Sequence, residues 1–168
     1  MLSSLALLAA LGCGSDDECG PAGDETGIEL SAGGSTARFT ELTASANNDC
    51  PNVGSPTAVT VAGSQDLGTG SIILCISRPE RIAGSEELSF DGDVQVVSFS
   101  AELDCPTVID RTQPLDDLQA RFTGFCGDGI DPAGFGLELS GELTMTAQCE
   151  PDQSVTVLFS GSAVVEPE

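Results

Sequence analysis

The chain has 168 residues, the length of one domain, and its 27 acidic residues against 5 basic ones give a formal net charge of −22. Because affinity for phosphates depends on Lys and Arg, this charge excludes nucleic acid as a partner. The basic residues are all Arg, and the chain has no His, Lys or Tyr. Ser-His-Asp triads, Ser-Lys and Cys-His dyads and His-ligated catalytic zinc sites therefore cannot be assembled, so the chain is not expected to be an enzyme. A hydrolase that uses only two carboxylates is not strictly excluded.

The first segment, residues 1–13, has the pattern of an export signal. Most of residues 2–11 are apolar, and the segment ends in Ala-Leu-Gly-Cys at 10–13. About ten apolar residues are too few to span a bilayer, but they suit the apolar region of a signal peptide. A small residue directly before a Cys resembles the lipobox of bacterial lipoproteins, and the resemblance covers only this segment.

The lipoprotein resemblance implies a defined fate for Cys13. Residues 1–12 would be removed as a signal peptide, the Cys13 thiol would receive a diacylglycerol, and the new amino terminus would be acylated. Several acyl chains would hold the protein on a membrane, because each buried methylene contributes about 0.8 kcal/mol. In some members of the family an Asp after the Cys favours the inner membrane, whereas Gly14 stands here. The outer membrane is therefore expected, with the domain facing the periplasm or the cell surface.

Residues 13–26 are acidic and rich in glycine. This composition predicts a solvated, flexible tether between the lipid and the folded part. The remaining residues, 27–168, are expected to form a single domain.

The chain has seven cysteines, an odd number that leaves one thiol without a disulfide partner in an exported protein. Assigning Cys13 to the lipid leaves six for three disulfides: Cys19, Cys50, Cys75, Cys105, Cys126 and Cys149. Zinc is disfavoured, since the chain has neither His nor two cysteines at C-x2-C spacing. Six cysteines allow fifteen pairings. Pairing neighbours across hairpins favours Cys50–Cys75 and Cys105–Cys126, which leaves Cys19 for Cys149.

From residue 27 onward apolar residues recur with a period of two, which is the pattern of half-buried β-strands. The clearest strands are 137–147 and 154–164, and the linker between them contains Pro151, so the two form a hairpin. Residues 72–76 are apolar on both faces, which favours a central strand. Further strands are predicted near 28–32, 36–46, 57–62, 70–77, 86–90, 97–103 and 117–125.

Two local irregularities are also predicted. The alternation changes parity between Val96 and Val97, which indicates a β-bulge. Asp91-Gly92 predicts a type I′ hairpin turn, because that turn needs positive φ angles at both central residues. About nine short strands with frequent turn signals predict an all-β fold, namely an antiparallel β-sandwich stapled by disulfides, with a barrel as the second choice.

Calcium is the one cofactor that the sequence suggests. Asp91 with Asp93, and Asp128 with Asp131, are close pairs of carboxylates on predicted loops, and Ca²⁺ prefers such oxygen ligands. Neither pair completes an EF-hand loop. Turn formation is the alternative reading of both, since Asp and Gly favour tight loops without any metal.

Together these features predict a membrane-anchored, extracytoplasmic lipoprotein whose domain has a structural or protein-interaction role. Its expected partners are the membrane, through the lipid anchor, and a protein of the cell envelope. The alternative is a calcium-dependent ligand-binding or adhesive module.

Overall fold

The structure is a computed structural model, and it describes residues 26–47, 50–51, 54, 57–81, 87–90, 92–110, 112, 115, 117–127, 132–148 and 153–165. Within these residues the chain forms eleven strands and one 3₁₀ turn, Pro79–Arg81. In chain order the strands are β1 (Gly27–Ala32), β2 (Ser35–Phe39), β3 (Leu42–Asn47), β4 (Ala58–Ser64), β5 (Ser71–Ser77), β6 (Glu87–Leu88), β7 (Val94–Glu102), β8 (Pro106–Ile109), β9 (Leu118–Gly127), β10 (Pro132–Ala147) and β11 (Gln153–Val165).

The strands form one antiparallel sheet that curls round until it is nearly closed. The order across the sheet is β2-β1-β11-β10-β8-β7-β5-β4-β3, while β9 pairs with the first part of β10 and β6 pairs with β9. The edge strands β2 and β3 are consecutive in the chain. The backbone N–H of Asp66, two residues after β4, donates to the carbonyl oxygen of Arg38 at 2.8 Å, so the edge strand β2 is linked to the loop that follows β4. The sheet is therefore a nearly closed barrel.

The prediction of an all-β, antiparallel, disulfide-containing fold is confirmed. The single curled sheet takes a barrel-like form, the second of the two architectures expected, because it bends until it is nearly closed. The predicted strand 36–46 is two strands, since the chain leaves the β1 ladder after Phe39 and joins the β4 ladder at Leu42.

The long hairpin of β10 and β11 follows the predicted alternation. Leu137 lies opposite Ala163 and Leu143 opposite Val157, and all four side chains are buried. Glu138 between them on β10 is exposed. Because successive side chains of a strand point to opposite faces, this ribbon presents one face to the core and the other to solvent.

Gly141 and Gly161 allow this ribbon to bend around the core. Their φ angles are 135° and 144°, which side chains rarely adopt. A Cβ on Gly141 would collide with the carbonyl oxygen of Asp117, and one on Gly161 with that of Gly27. The close approach of the neighbouring backbones therefore requires glycine at both positions.

The barrel interior is filled by side chains from all sides of the sheet. Phe99 of β7 lies 6.2 Å from Phe39 of β2 and 5.3 Å from Phe159 of β11, measured between ring centroids. The other large, fully buried side chains are Ile28, Leu30, Ile72, Leu74, Ile76, Leu137, Leu143 and Met145. This packing makes the interior a hydrophobic core, as in small barrels that hold no ligand.

The predicted bulge is confirmed. In the pairing of β5 with β7, Ile73 lies opposite Ser98 and Leu74 opposite Val96, so Val97 is the extra residue. The extra residue changes the parity of β7, which lets both Val94 and Phe99 reach the core.

The prediction of a type I′ hairpin at Asp91-Gly92 is wrong. Gly92 does not have a positive φ, and Glu87–Leu88, the strand before the turn, pairs with β9 rather than with β7. Oδ2 of Asp93 accepts hydrogen bonds from the backbone N–H and the hydroxyl of Ser89, at 3.0 and 2.9 Å. The backbone N–H groups of Asp93 and Val94 also donate to the carbonyl oxygen of Ser89, at 2.9 and 3.0 Å, so backbone and side-chain hydrogen bonds together close this turn.

The tight two-residue turn lies instead between β1 and β2. Ala32 lies opposite Ser35, and the two residues between them, Gly33 and Gly34, have φ angles of 60° and 98°. Positive φ at both central residues is the signature of a type I′ turn. The Gly-Gly pair was a signal that could have been read from the sequence.

Candidate functional site

The predicted calcium ligands are described at one position only. Asp93 has its Oδ2 engaged by Ser89, which favours turn formation at this position. Asp91, Asp128 and Asp131 lie outside the described residues. In the part of the chain that the structure describes, no group of three or more Asp, Glu or Cys residues is arranged to hold a metal ion. Calcium binding stays a prediction.

The disulfide predicted between Cys50 and Cys75 is confirmed, with 5.6 Å between the two Cα atoms. Cys50 follows β3 and Cys75 lies on β5, so the bond reaches across β4. Both cysteines are 1% exposed and form a small second cluster with Ala58, against which Val97 packs. The disulfide thus covers the outer face of the sheet at this end of β4.

The pairing predicted for Cys105 does not fit the strand register. Cys105 is disulfide-bonded and directly precedes β8. On β10, the partner of Thr107 is Ala147, whereas the partner of Cys126 is Gly134, thirteen residues away. At roughly 3.3 Å per residue those positions are about 40 Å apart along the strand. Cys105 therefore cannot be bonded to Cys126, because a disulfide needs Cα atoms within about 7 Å. Cys13, Cys19 and Cys149 lie outside the described residues, and so does the side chain of Cys126.

Gln65 holds the loop after β4, the loop from which Asp66 bonds to β2. Its side chain is 7% exposed, and its Nε2 donates to the carbonyl oxygens of Leu67 and Glu102 at 2.8 and 2.9 Å. The N–H of Glu102 donates back to Oε1 of Gln65 at 2.7 Å. The buried amide is thus satisfied on both sides and fixes the loop after β4 to β7. Its role is structural, and no local sequence pattern marks it.

A polar surface, here called the ribbon face, lies on the solvent side of β2, β1, β11, β10 and β9. Directly opposed residues form one row across these five strands: Arg38, Glu29, Ser160, Ser140 and Gln119. The neighbouring row contains Ser162, Glu138 and Arg121. Hydroxyl groups therefore occupy the middle of the face, and charges occupy its two sides.

Both arginines of the ribbon face are engaged by carboxylates across the strands. Nε of Arg38 lies 2.9 Å from Oε2 of Glu29, and Nε of Arg121 lies 3.0 Å from Oε2 of Glu138. All four side chains are between 42% and 68% exposed, so each pair adds little to stability. Two shallow grooves of about 430 and 460 Å³ lie along these pairs and share Glu138 and Gly161.

A third groove, of about 690 Å³, crosses the outside of β3, β4 and β5. Its polar lining includes Thr43, Ser64 and Ser71, with Glu41 and Asp66 beside them. Oδ1 of Asp66 accepts hydrogen bonds from the N–H and the hydroxyl of Thr40, at 2.8 and 3.0 Å. Like the ribbon face, this groove offers hydroxyl and carboxylate oxygens, which suit hydrogen bonding to another polar surface.

The ribbon face was not predicted as a site, because its rows depend on strand register. The alternation of residues does place Glu138 and Ser140 on the outer side of a predicted strand. It does not say that Arg121 and Ser160 lie opposite them, since those residues come from other strands.

Within the described residues no helix is long and apolar enough to cross a membrane. Comparisons with protein-family models, with curated proteins and with solved structures returned no match. The function of the chain is therefore argued from its own residues.

Proposed function

We propose that this chain is an exported, membrane-anchored lipoprotein whose barrel binds another component of the cell envelope through its outer surface. The observation that carries the proposal is the buried disulfide between Cys50 and Cys75, together with the disulfide-bonded state of Cys105. Structural disulfides persist in oxidising compartments outside the cytoplasm. An exported location fits the signal-like residues 1–12 and the lipobox-like Cys13.

The filled interior supports a binding role for the outside of the barrel. Phe39, Phe99 and Phe159 occupy the centre, where larger barrels hold a ligand. The ribbon face offers hydroxyl groups between two Arg–Glu ion pairs, whose charges cancel. The chain as a whole carries a net charge of −22. A partner with a basic surface would be attracted to this field, and its association would slow as the salt concentration rises.

The anchor is tested by intact mass spectrometry of the protein extracted from membranes. We expect a mature chain that starts at Cys13 and carries the added mass of a diacylglycerol and an amide-linked acyl chain. Cys13→Ser should lose the acyl mass and leave the membrane fraction, because the thiol that carries the lipid is then missing. Cys19→Ser is the matched control and should keep both the acyl mass and its place in the membrane fraction. An unmodified mature amino terminus, or membrane attachment retained by Cys13→Ser, would overturn the proposal.

A further inference from the structure

The disulfide partner of Cys105 follows from the register of β8 with β10. Thr107 lies opposite Ala147, and the N–H of Gln148 donates to the carbonyl oxygen of Pro106 at 2.9 Å. At the other end of the ladder the N–H of Asp110 donates to the carbonyl oxygen of Thr144. The pairing therefore reaches the start of β8 without a shift, and the same register extended by one pair would set residue 149 opposite Cys105.

The hydrogen-bond pattern also fits a disulfide at that position. In an antiparallel ladder, hydrogen-bonded pairs alternate with non-hydrogen-bonded pairs. The bonds from Gln148 to Pro106 and from Asp110 to Thr144 mark hydrogen-bonded pairs. Thr107–Ala147 is therefore a non-hydrogen-bonded pair, and the next pair of that type in the same register would be 105 with 149. Residues of such pairs have Cα atoms about 4.5 Å apart, which is within the range that a disulfide spans.

Of the remaining cysteines, Cys126 lies at the opposite end of the barrel. Cys126 lies opposite Gly134, and two residues earlier Gly124 lies opposite Gly136. Across the sheet, Gly136 lies opposite Val164, whose carbonyl oxygen accepts a hydrogen bond from the hydroxyl of Thr26 at 2.7 Å. Thr26, the first described residue, is thus separated from Cys126 by about three strand spacings, roughly 14 Å, and by about 7 Å along the strand.

The chain before Thr26 is long enough to close this distance. Cys19 lies seven positions before Thr26, and seven residues can extend about 24 Å. Cys13 could reach equally far, so reach alone does not choose between them. The choice of Cys19 rests on the proposed function, in which the thiol of Cys13 carries the lipid.

We propose that disulfides Cys105–Cys149 and Cys19–Cys126 complete the framework begun by Cys50–Cys75. Each bond forms when two thiols give two electrons and two protons to the disulfide of a thiol oxidoreductase in the exported compartment, which becomes a dithiol. One cysteine of seven, Cys13, then has no disulfide partner and is available for acylation.

This framework orients the barrel on the membrane. Only five residues separate Cys13 from Cys19, about 20 Å of extended chain. The Cys19–Cys126 bond therefore holds the end of the barrel near Gly134 close to the bilayer. The opposite end, where the hydroxyl of Ser35 donates to a carboxylate oxygen of Asp104, faces away from it.

The pairing is tested by peptide mapping of the unreduced, membrane-extracted protein. Cleavage after Arg alone leaves Cys126 and Cys149 in one peptide, so a second protease that cuts beside Asp is needed. We expect one linked pair that contains Cys105 with Cys149 and another that contains Cys19 with Cys126. Cys105 bonded to any other cysteine overturns the first bond, and Cys126 bonded to any cysteine except Cys19 overturns the second.

The same map separates this inference from the lipoprotein proposal. Acyl mass is read on the peptide that contains Cys13, independently of the linked pairs. If both expected bonds are found but the Cys13 peptide carries no acyl mass, the anchor is overturned and the disulfide framework stands. If the Cys13 peptide carries acyl mass but the cysteines are paired differently, the framework is overturned and the anchor stands.

Thiol labelling of single variants gives an independent check of the pairing. In Cys105→Ser a thiol reagent should label Cys149 alone, and in the control Cys50→Ser it should label Cys75 alone. Labelling of Cys126 in Cys105→Ser would contradict the pairing.

Discussion

The two halves of the barrel curve by different means. The ribbon half, β1, β9, β10 and β11, contains strands of 16 and 13 residues that bend at glycines with φ angles of 135° and 144°. The short-strand half, β3, β4, β5 and β7, contains strands of 6 to 9 residues. It curves through the bulge at Val97, and a disulfide crosses its outer side.

The difference shows how strand length and stabilisation are related in this fold. Long paired strands supply many backbone hydrogen bonds, so the ribbon half needs only glycines at the positions where it bends. Short strands supply fewer, and a covalent bond over β4 compensates by restricting the unfolded chain. The ribbon half should therefore be sensitive to changes at its glycines, and the short-strand half to the loss of its disulfide.

Removal of the Cys50–Cys75 bond should have the largest effect. The double variant Cys50→Ala/Cys75→Ala opens a loop of 25 residues, for which the chain-entropy relation predicts a loss of about 3.5 kcal/mol in the free energy of unfolding. Urea unfolding of the variant and the parent measures it. A loss below about 1 kcal/mol would show that the short-strand half does not depend on the bond.

Gly161→Ala should have the next largest effect, a loss of about 3 kcal/mol. The left-handed backbone costs a side chain about 1–2 kcal/mol, and the new Cβ must displace the carbonyl of Gly27, which adds about 1–2 kcal/mol. Gly27→Ala is the control, since a Cβ there meets nothing within 4 Å. Equal stabilities of the two variants in urea would contradict the role of Gly161 in bending the ribbon.

The smallest effect is expected at the ion pairs of the ribbon face. Arg121→Met and Glu138→Gln should each lower the free energy of unfolding by about 0.5 kcal/mol or less, because both side chains are about half exposed. A double-variant cycle in 0.05 and 0.5 M salt measures the coupling between them. A coupling above about 1 kcal/mol would mean that the pair stabilises the ribbon half.

Several features of the fold could be predicted because they depend on neighbouring residues. The alternation in 137–147 and 154–164 predicted the β10–β11 hairpin, and the parity change predicted the bulge at Val97. The central place of 72–76 also followed from its composition, and β5 does lie between β4 and β7. The predicted turn at Asp91-Gly92 failed because both the backbone and the side chain of Asp93 bond to Ser89, contacts that dipeptide preference does not include.

By itself the sequence determined the strand-rich character of the domain, the two faces of its long hairpin, the absence of common catalytic residue types and a lipobox-like Cys13. These follow from composition, period and short motifs, which act over a few residues. Only the tertiary structure decided that the sheet curls into a nearly closed barrel, that Arg38 and Arg121 face carboxylates, and that Cys105 lies far from Cys126. Those facts depend on strand register, because register brings together residues that are far apart in the chain.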